Sequence, residues 1–357
     1  MYVRAVGTAT PPRRYAKAEC WTAFEASPWF ERLSPRARAV ARSVLQRDNG
    51  IEARHLAVDS LDEAFAIDAD TLHRRYVTHA PLLATRAAAR ALDEAALAPG
   101  AIDAVVVSTC TGYLCPGLSG YVVERLGLRG DVLAFDLVGQ GCAAALPNWQ
   151  LAHALIDAQR ARHVLSVCVE VCSAAMYLDE DIGVLISACL FGDGAGAAVL
   201  SDALDAEGGG RAIRVSAHGS RIDPAQRAAL RFETRDGLLR NVLTRAVPRL
   251  AAHHAHALLH DVAGRHGVAP EEIGGWIVHA GGRDVLLAVQ AETGLDAQAL
   301  RHSAAMLRAY GNLSSAFVYF VLRAALDDPS QPPGWWWMTS FGAGFSCHGA
   351  LLRVEAR

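Results

Sequence analysis

The sequence has no apolar run long enough to cross a bilayer. A long uncharged segment, residues 137–156, is interrupted by Gln140, Pro147, Asn148, Gln150 and His153, which makes it too polar and too broken for a hydrocarbon span. No integral membrane association is expected. The N-terminus MYVRAVGTATPPRRYAK lacks the continuous apolar core of a secretory signal before Pro11 and Pro12, so a cytoplasmic location is expected. A basic surplus is also missing: 34 Lys and Arg stand against 37 Asp and Glu, a net charge of −3. Nucleic acid is therefore an unsuitable partner, because its backbone must be neutralised by excess cations. None of the eight cysteines forms a CxxC pair, which argues against a zinc site or disulfide framework and for reduced thiols. Charged residues make up only 20% of the chain and hydrophobic ones 52%. That balance excludes a disordered chain and provides for a large core.

From about residue 80, β-rich apolar runs alternate with Ala/Leu-rich helical stretches, the pattern of an α/β protein. Residues 104–110 (AVVVSTC), 132–138 (VLAFDLV) and 163–171 (HVLSVCVEV) read as strands. Helices are expected at 118–126 and 142–159, and the glycine-rich 190–200 (LFGDGAGAAVL) reads as a turn feeding a strand. Residues 202–210, ending in three glycines, read as a linker. The second half repeats this logic, with strands at 211–217 and 276–279, a helix near 242–266, and a closing strand, glycine and strand pattern over 335–354. The expected architecture is a duplicated α/β fold divided into 1–201 and 202–357. The charged helical segment 21–75 forms a cap in the first half.

Cys142 lies in DLVGQGCAAALPNW, after an apolar strand and two glycines and before an Ala-rich helix. A thiol in the first helical turn feels the partial positive charge of unpaired N–H groups, which favours the nucleophilic thiolate. Free cysteines are also common core residues, so partners must decide between the two readings. Two candidates lie beside glycines downstream: His279 in WIVHAGGRDVL and Asn312 in RAYGNLSSAFVYF. An imidazole can take or share the thiol proton near neutral pH. With an amide N–H it can also hold a thioester oxygen as that oxygen becomes an enolate, the step that lets malonyl-CoA lose carbon dioxide. Each alone has a bland alternative, a structural histidine or a turn asparagine.

Six motifs occur together: GTATPP at 7–12, GQGC at 139–142, LFGDGAGA at 190–197, HAGGRDVL at 279–286, YGNLSSA at 310–316 and FGAG at 341–344. In this order the chain resembles the type III polyketide synthases, the chalcone synthase-like family, over nearly its whole length. The resemblance implies a thiolase-like αβαβα duplication that works as a homodimer. It implies acyl-CoA and malonyl-CoA as substrates and neither a metal nor a further cofactor. It makes Cys142 the acyl carrier, with His279 and Asn312 completing a catalytic triad. It places Phe191 as a gatekeeper between the CoA tunnel and the cavity, and has Cys115 cross the dimer interface into the partner's cavity. Asn241 falls where plant members carry a second gatekeeper phenylalanine, and Cys172 and Ala175 where they carry threonines. STCTGYLCPG at 108–117 and GFSCHGALL at 344–352 look more like the bacterial branch that makes alkylpyrones and alkylresorcinols from fatty acyl-CoA. A medium or long acyl starter is therefore expected.

Other features have plainer readings. His253, His254, His256 and His260 share a helix, but no HExxH pattern or cysteine set accompanies them, so no metal site is expected. Trp335, Trp336 and Trp337 read as strand packing. Gly192, Gly194 and Gly196 precede a strand and not a helix, which disfavours a dinucleotide loop. Arg36, Arg38, Arg42 and Arg47 could meet CoA phosphates or form a solvated face. Two other functions remain open: a ketoacyl synthase III-like enzyme condensing once onto carrier-bound malonate, and a non-catalytic partner subunit on the same fold.

Overall fold

The computed structural model describes residues 1–204 and 211–356, so most of the expected linker at 202–210 lies outside the described residues. Nine strands join in one sheet, in the order Ile273–Val278, Gly334–Gly342, Ser346–Ala356, Arg211–Ile222, Tyr2–Ala9, Gly194–Ser201, His163–Glu170, Ala104–Ser108 and Leu133–Leu137. Within the sheet the two halves join where Tyr2 and Val3 pair with Arg214 and Ile213. Outward from that seam the pattern repeats. Tyr2–Ala9 runs antiparallel to Gly194–Ser201, which runs antiparallel to His163–Glu170, which is parallel to Ala104–Ser108. Arg211–Ile222, Ser346–Ala356, Gly334–Gly342 and Ile273–Val278 follow the same sequence of directions. That repeat is the basis on which we propose halves at 1–201 and 202–357.

The expected thiolase-like αβαβα fold is the one observed. Helices Ala145–Asp157 and Phe317–Asp327 form the middle layer, with Ala145, Leu146, Trp149 and Ala152 of the first and Phe317 to Leu322 of the second buried. They are tied together by Trp149 Nε1, which donates to the Tyr319 hydroxyl at 3.2 Å. Ala69–Glu94 covers the first half and Val247–Arg265 the second. The alanine-rich face of Ala69–Glu94, with Ala80, Ala84, Ala87, Ala88 and Ala91 buried, lets helix and strands approach closely. The expected cap exists as helices Lys17–Glu25, Pro28–Arg32 and Pro35–Gln46, whose Trp21, Phe24, Phe30 and Leu45 pack with Leu185 and Cys189.

Three local expectations change. The helix expected from 142 is a 3-10 turn, Gly141–Ala143, followed by Ala145–Asp157. The helix expected from 242 begins at Val247, because Pro248 lacks an N–H and fits only a first turn. The preceding Leu238–Leu243 is instead a strand paired with Leu230–Arg235. Helix Ile182–Leu190 was not anticipated: it is short and apolar on nearly every face, so it carries little helical period. No helix among the described residues is long and apolar enough to cross a membrane.

Candidate active site

The turn holding Cys142 follows the edge strand Leu133–Leu137, and Gly141 takes φ 54°, a left-handed conformation that a side chain disfavours. The C-terminal hairpin braces this turn. Ser340 Oγ donates to the Ala143 carbonyl at 3.0 Å, and a Cβ on Gly342 would stand 2.3 Å from the Gln140 carbonyl oxygen. Cys142 is thereby buried at the floor of a cavity of about 950 Å³.

His279 follows the strand Ile273–Val278, and its backbone N–H donates to the Thr339 carbonyl at 3.0 Å. Phe317 meets its ring edge-on at 5.4 Å and Phe341 lies at 6.5 Å. Asn312 follows helix Arg301–Tyr310, which stops at Gly311 with φ 71°. A Cβ on Gly311 would meet the Leu190 carbonyl oxygen at 2.7 Å, and Asn312 N donates to that oxygen at 2.9 Å.

A hydrogen-bonded chain joins Cys142 and Asn312 to the loop that follows His279. Asn312 Nδ2 donates to the carbonyl of Gly281, two residues after His279, at 3.1 Å. Asn312 Oδ1 accepts from Ser314 N at 2.8 Å, and the Ser314 hydroxyl lies 3.2 Å from Cys142 Sγ. Asn312 Nδ2 carries a second N–H. All three side chains line the same cavity.

Sequence reasoning had not singled out Ser314, Glu170 or Cys110. Ser314 adopts φ 51°, a strained conformation for a residue with a side chain. Its hydroxyl also lies 3.2 Å from Glu170 Oε1 and 3.3 Å from Cys110 Sγ, and its single hydrogen serves one acceptor at a time. Glu170 is fully buried and also accepts from Cys110 N at 3.0 Å and the Thr111 hydroxyl at 2.9 Å. Burial pushes its carboxyl above the ordinary carboxylate range, against those hydrogen bonds. Ser314 carried a signal in its place in YGNLSSA and Cys110 in its place in STCTGYLCPG; Glu170 carried none.

Electrostatics differ from the sequence expectation at the thiol. Burial pushes Cys142 up to about 12, with the Ser314 hydroxyl pulling the other way, and pushes the His279 imidazole down to about 3. Desolvation outweighs the expected help from the helix start. Both groups are therefore neutral in the free protein at neutral pH. A thiolate and an imidazolium formed together in one cavity would create no net charge, whereas forming either alone meets its full desolvation cost. His279 Nδ1 is buried without a hydrogen-bond partner among the described residues.

Phe191 stands between this cavity and a smaller inner one of about 30 Å³, lining both. Cys172, Ala175 and Asn241 line the inner cavity, so four of the five expected substrate-binding residues converge there. Cys115 does not join them within its own chain; it is exposed. Arg36 and Arg47 line the outer cavity with Arg245 and Arg283. Arg38 turns away to the Leu33 carbonyl at 2.8 Å, and Arg42 pairs with Glu25 at 3.3 Å. The helix histidines serve other contacts: His254 faces Asp223 at 3.5 Å, and the His256 and His260 rings lie 4.4 Å apart, tilted at 59° to each other. No group of three metal-binding side chains occurs among the described residues.

Comparison with known proteins gives concordant results. Residues 63–278 match the family described as FAE1/Type III polyketide synthase-like protein, and residues 218–355 match the chalcone and stilbene synthase C-terminal domain. The chain is 31% identical to a 1,3,6,8-tetrahydroxynaphthalene synthase of Streptomyces peucetius subsp. caesius, over 98% of this chain and 92% of that one. It is 32% identical to a 3,5-dihydroxyphenylacetyl-CoA synthase of Amycolatopsis orientalis, over 69% of this chain and 66% of the relative. The crystal structure of 1,3,6,8-tetrahydroxynaphthalene synthase from Streptomyces coelicolor A3(2) superimposes with a TM-score of 0.87 at 25% identity, covering 100% of both chains.

Proposed function

The chain belongs to the type III polyketide synthase family, and from that premise we propose that Cys142 takes an acyl group from an acyl-CoA and that malonyl-CoA extends it under the control of His279 and Asn312. Members of the family are acyltransferases that act on CoA thioesters by decarboxylative Claisen condensation, which sets aside the single-condensation and non-catalytic alternatives. The observation that carries the assignment is the bonded chain from Cys142 through Ser314 and Asn312 to the His279 loop.

In this reading the imidazole takes the thiol proton as the sulfur attacks the thioester carbonyl, and the CoA thiolate leaves. The imidazolium and the second Asn312 N–H then face the thioester oxygen of malonyl-CoA. As the carboxylate departs as carbon dioxide, its electron pair forms an enolate held by those two donors. The enolate carbon attacks the acyl carbonyl on Cys142 and releases the thiolate, giving a β-ketoacyl-CoA that can be loaded again.

We further propose a medium or long fatty acyl starter, with closure to a pyrone or resorcinol. Beyond Phe191 the inner cavity is walled by Leu56, Met176, Val184 and Ala188. It shares Leu56, Met176 and Ala188 with a cavity of about 40 Å³ beneath the cap, lined by Phe24, Leu45 and Phe65. Each buried methylene contributes about 0.8 kcal/mol, so four extra carbons favour a fatty starter over acetyl by roughly 3 kcal/mol before ordering costs. A second reading has support from the relatives, whose names give 1,3,6,8-tetrahydroxynaphthalene and 3,5-dihydroxyphenylacetyl-CoA as products, hydroxylated aromatic compounds without a fatty chain. The two part in one experiment, comparing kcat/KM for acetyl-, octanoyl-, palmitoyl- and coumaroyl-CoA with malonyl-CoA constant, beside malonyl-CoA alone. Octanoyl or palmitoyl should lead. If malonyl-CoA alone yields a hydroxylated aromatic product as fast, or if acetyl or coumaroyl leads, the fatty-starter reading is wrong.

A homodimer completes the proposal. Among the described residues the edge strand Leu133–Leu137 has a strand neighbour on one side only. Beside it Val138 is 65% exposed and Tyr113 73%, with Cys115 also at the surface. A second copy laid along this edge would pair its open backbone groups and cover the apolar patch. Sedimentation should give a dimer at assay concentration; a fully active monomer would rule it out.

A further inference from the structure

Asn241 lies on the strand Leu238–Leu243, opposite Phe232, and is 8% exposed. Its Oδ1 is buried with no hydrogen-bond partner among the described residues, and the residue lines the inner cavity together with Phe191 and Ser314. Two polar neighbours on that wall are otherwise engaged. The Thr111 hydroxyl donates to Glu170 at 2.9 Å and the Ser173 hydroxyl to Asp193 at 2.6 Å. A buried carbonyl oxygen without a donor is costly and calls for an explanation. The strand is also not free to turn it outward. Adjacent Arg240 is held by Asp179 at 2.8 Å, Asp181 at 3.0 Å and Glu233 at 2.5 Å. Asp181 in turn caps the helix Ile182–Leu190 through Gly183 N at 2.8 Å.

We propose that Asn241 is a specificity residue that recognises the enol form of the growing poly-β-keto chain. A β-dicarbonyl unit enolises by moving one proton from carbon to oxygen, with no change in composition or oxidation state. The product offers an O–H donor and, two carbons away, a carbonyl acceptor. The Asn241 carboxamide matches that pair, Oδ1 accepting from the enol and Nδ2 donating to the ketone. A saturated acyl tail offers neither group, so Asn241 acts only after the first condensation and favours further extension over early release. The same amide makes the inner cavity less apolar than a plain alkyl tunnel.

The inference rests on the reading that Cys142 carries a chain extended by malonyl units. It is tested with octanoyl-CoA and malonyl-CoA, measuring by mass spectrometry the ratio of tetraketide to triketide products for the wild type and Asn241→Leu, which keeps the size and removes both hydrogen-bonding groups. The ratio should fall roughly 10-fold. Should circular dichroism find Asn241→Leu unfolded, Asn241→Ala replaces it, with the same expectation. An unchanged ratio in a folded variant overturns this inference alone. A wild type that makes no product from any acyl-CoA overturns the functional reading and this inference with it.

Discussion

Cys142→Ala is expected to lower polyketide formation by roughly 10⁴-fold or more, with the melting temperature changed by only a few degrees. The sulfur lies against an open cavity, and the residues after it, Ala143, Ala144 and Ala145, form the packed part of the turn. Removing Sγ therefore leaves the core intact, and the Ser314 hydroxyl keeps Glu170 as an acceptor. No neighbouring thiol can substitute. Burial raises Cys110 and Cys172 as it raises Cys142, but neither lines the cavity that holds Cys142 and His279, so neither shares that cavity with the imidazole that takes the proton. Substantial product from the variant, measured by mass spectrometry against the wild type, would refute the assignment.

Asn312→Ala should slow malonyl-CoA decarboxylation by roughly 10²-fold or more, the scale of losing one donor to a developing oxyanion. The loss should exceed that of a simple donor deletion, because the carboxamide also joins the Gly281 carbonyl to Ser314 N. Asn312→Asp separates the two roles. It keeps an acceptor for Ser314 N but has no amide hydrogens for Gly281 or for the substrate oxygen, and it places a negative charge where the enolate forms. Its decarboxylation rate, followed by release of carbon dioxide from labelled malonyl-CoA, should be no better than that of Asn312→Ala. A rate equal to the wild type in either variant would remove Asn312 from the chemistry.

What could be read from the sequence was mostly local. Cys142, His279 and Asn312 each sit where a strand or helix ends beside glycines, and those short contexts mark the turns that the fold uses. Glu170 and Ser314 meet across 144 positions of chain, and no local pattern announces such a contact. The same holds for the thiol's electrostatics. The helix start is visible in the sequence, but desolvation by the surrounding fold is not, and it dominates. Helix Ile182–Leu190 escaped because nine mostly apolar residues have no clear face, and the strand Leu238–Leu243 because its apolar end runs into a true helix. Asn241 shows both sides: its place on the cavity wall followed from a resemblance, whereas its unpaired side-chain oxygen is a property of the folded chain.

The central claim, that Cys142 holds the growing acyl chain, is tested most directly by intact-mass and peptide mapping after incubation with octanoyl-CoA in the absence of malonyl-CoA. The account predicts a single octanoyl group per chain, on the peptide containing Cys142, and none on the Cys142→Ala variant. An octanoyl adduct on Cys110, Cys115 or Cys172 in place of Cys142, or one that persists in the variant, would contradict it.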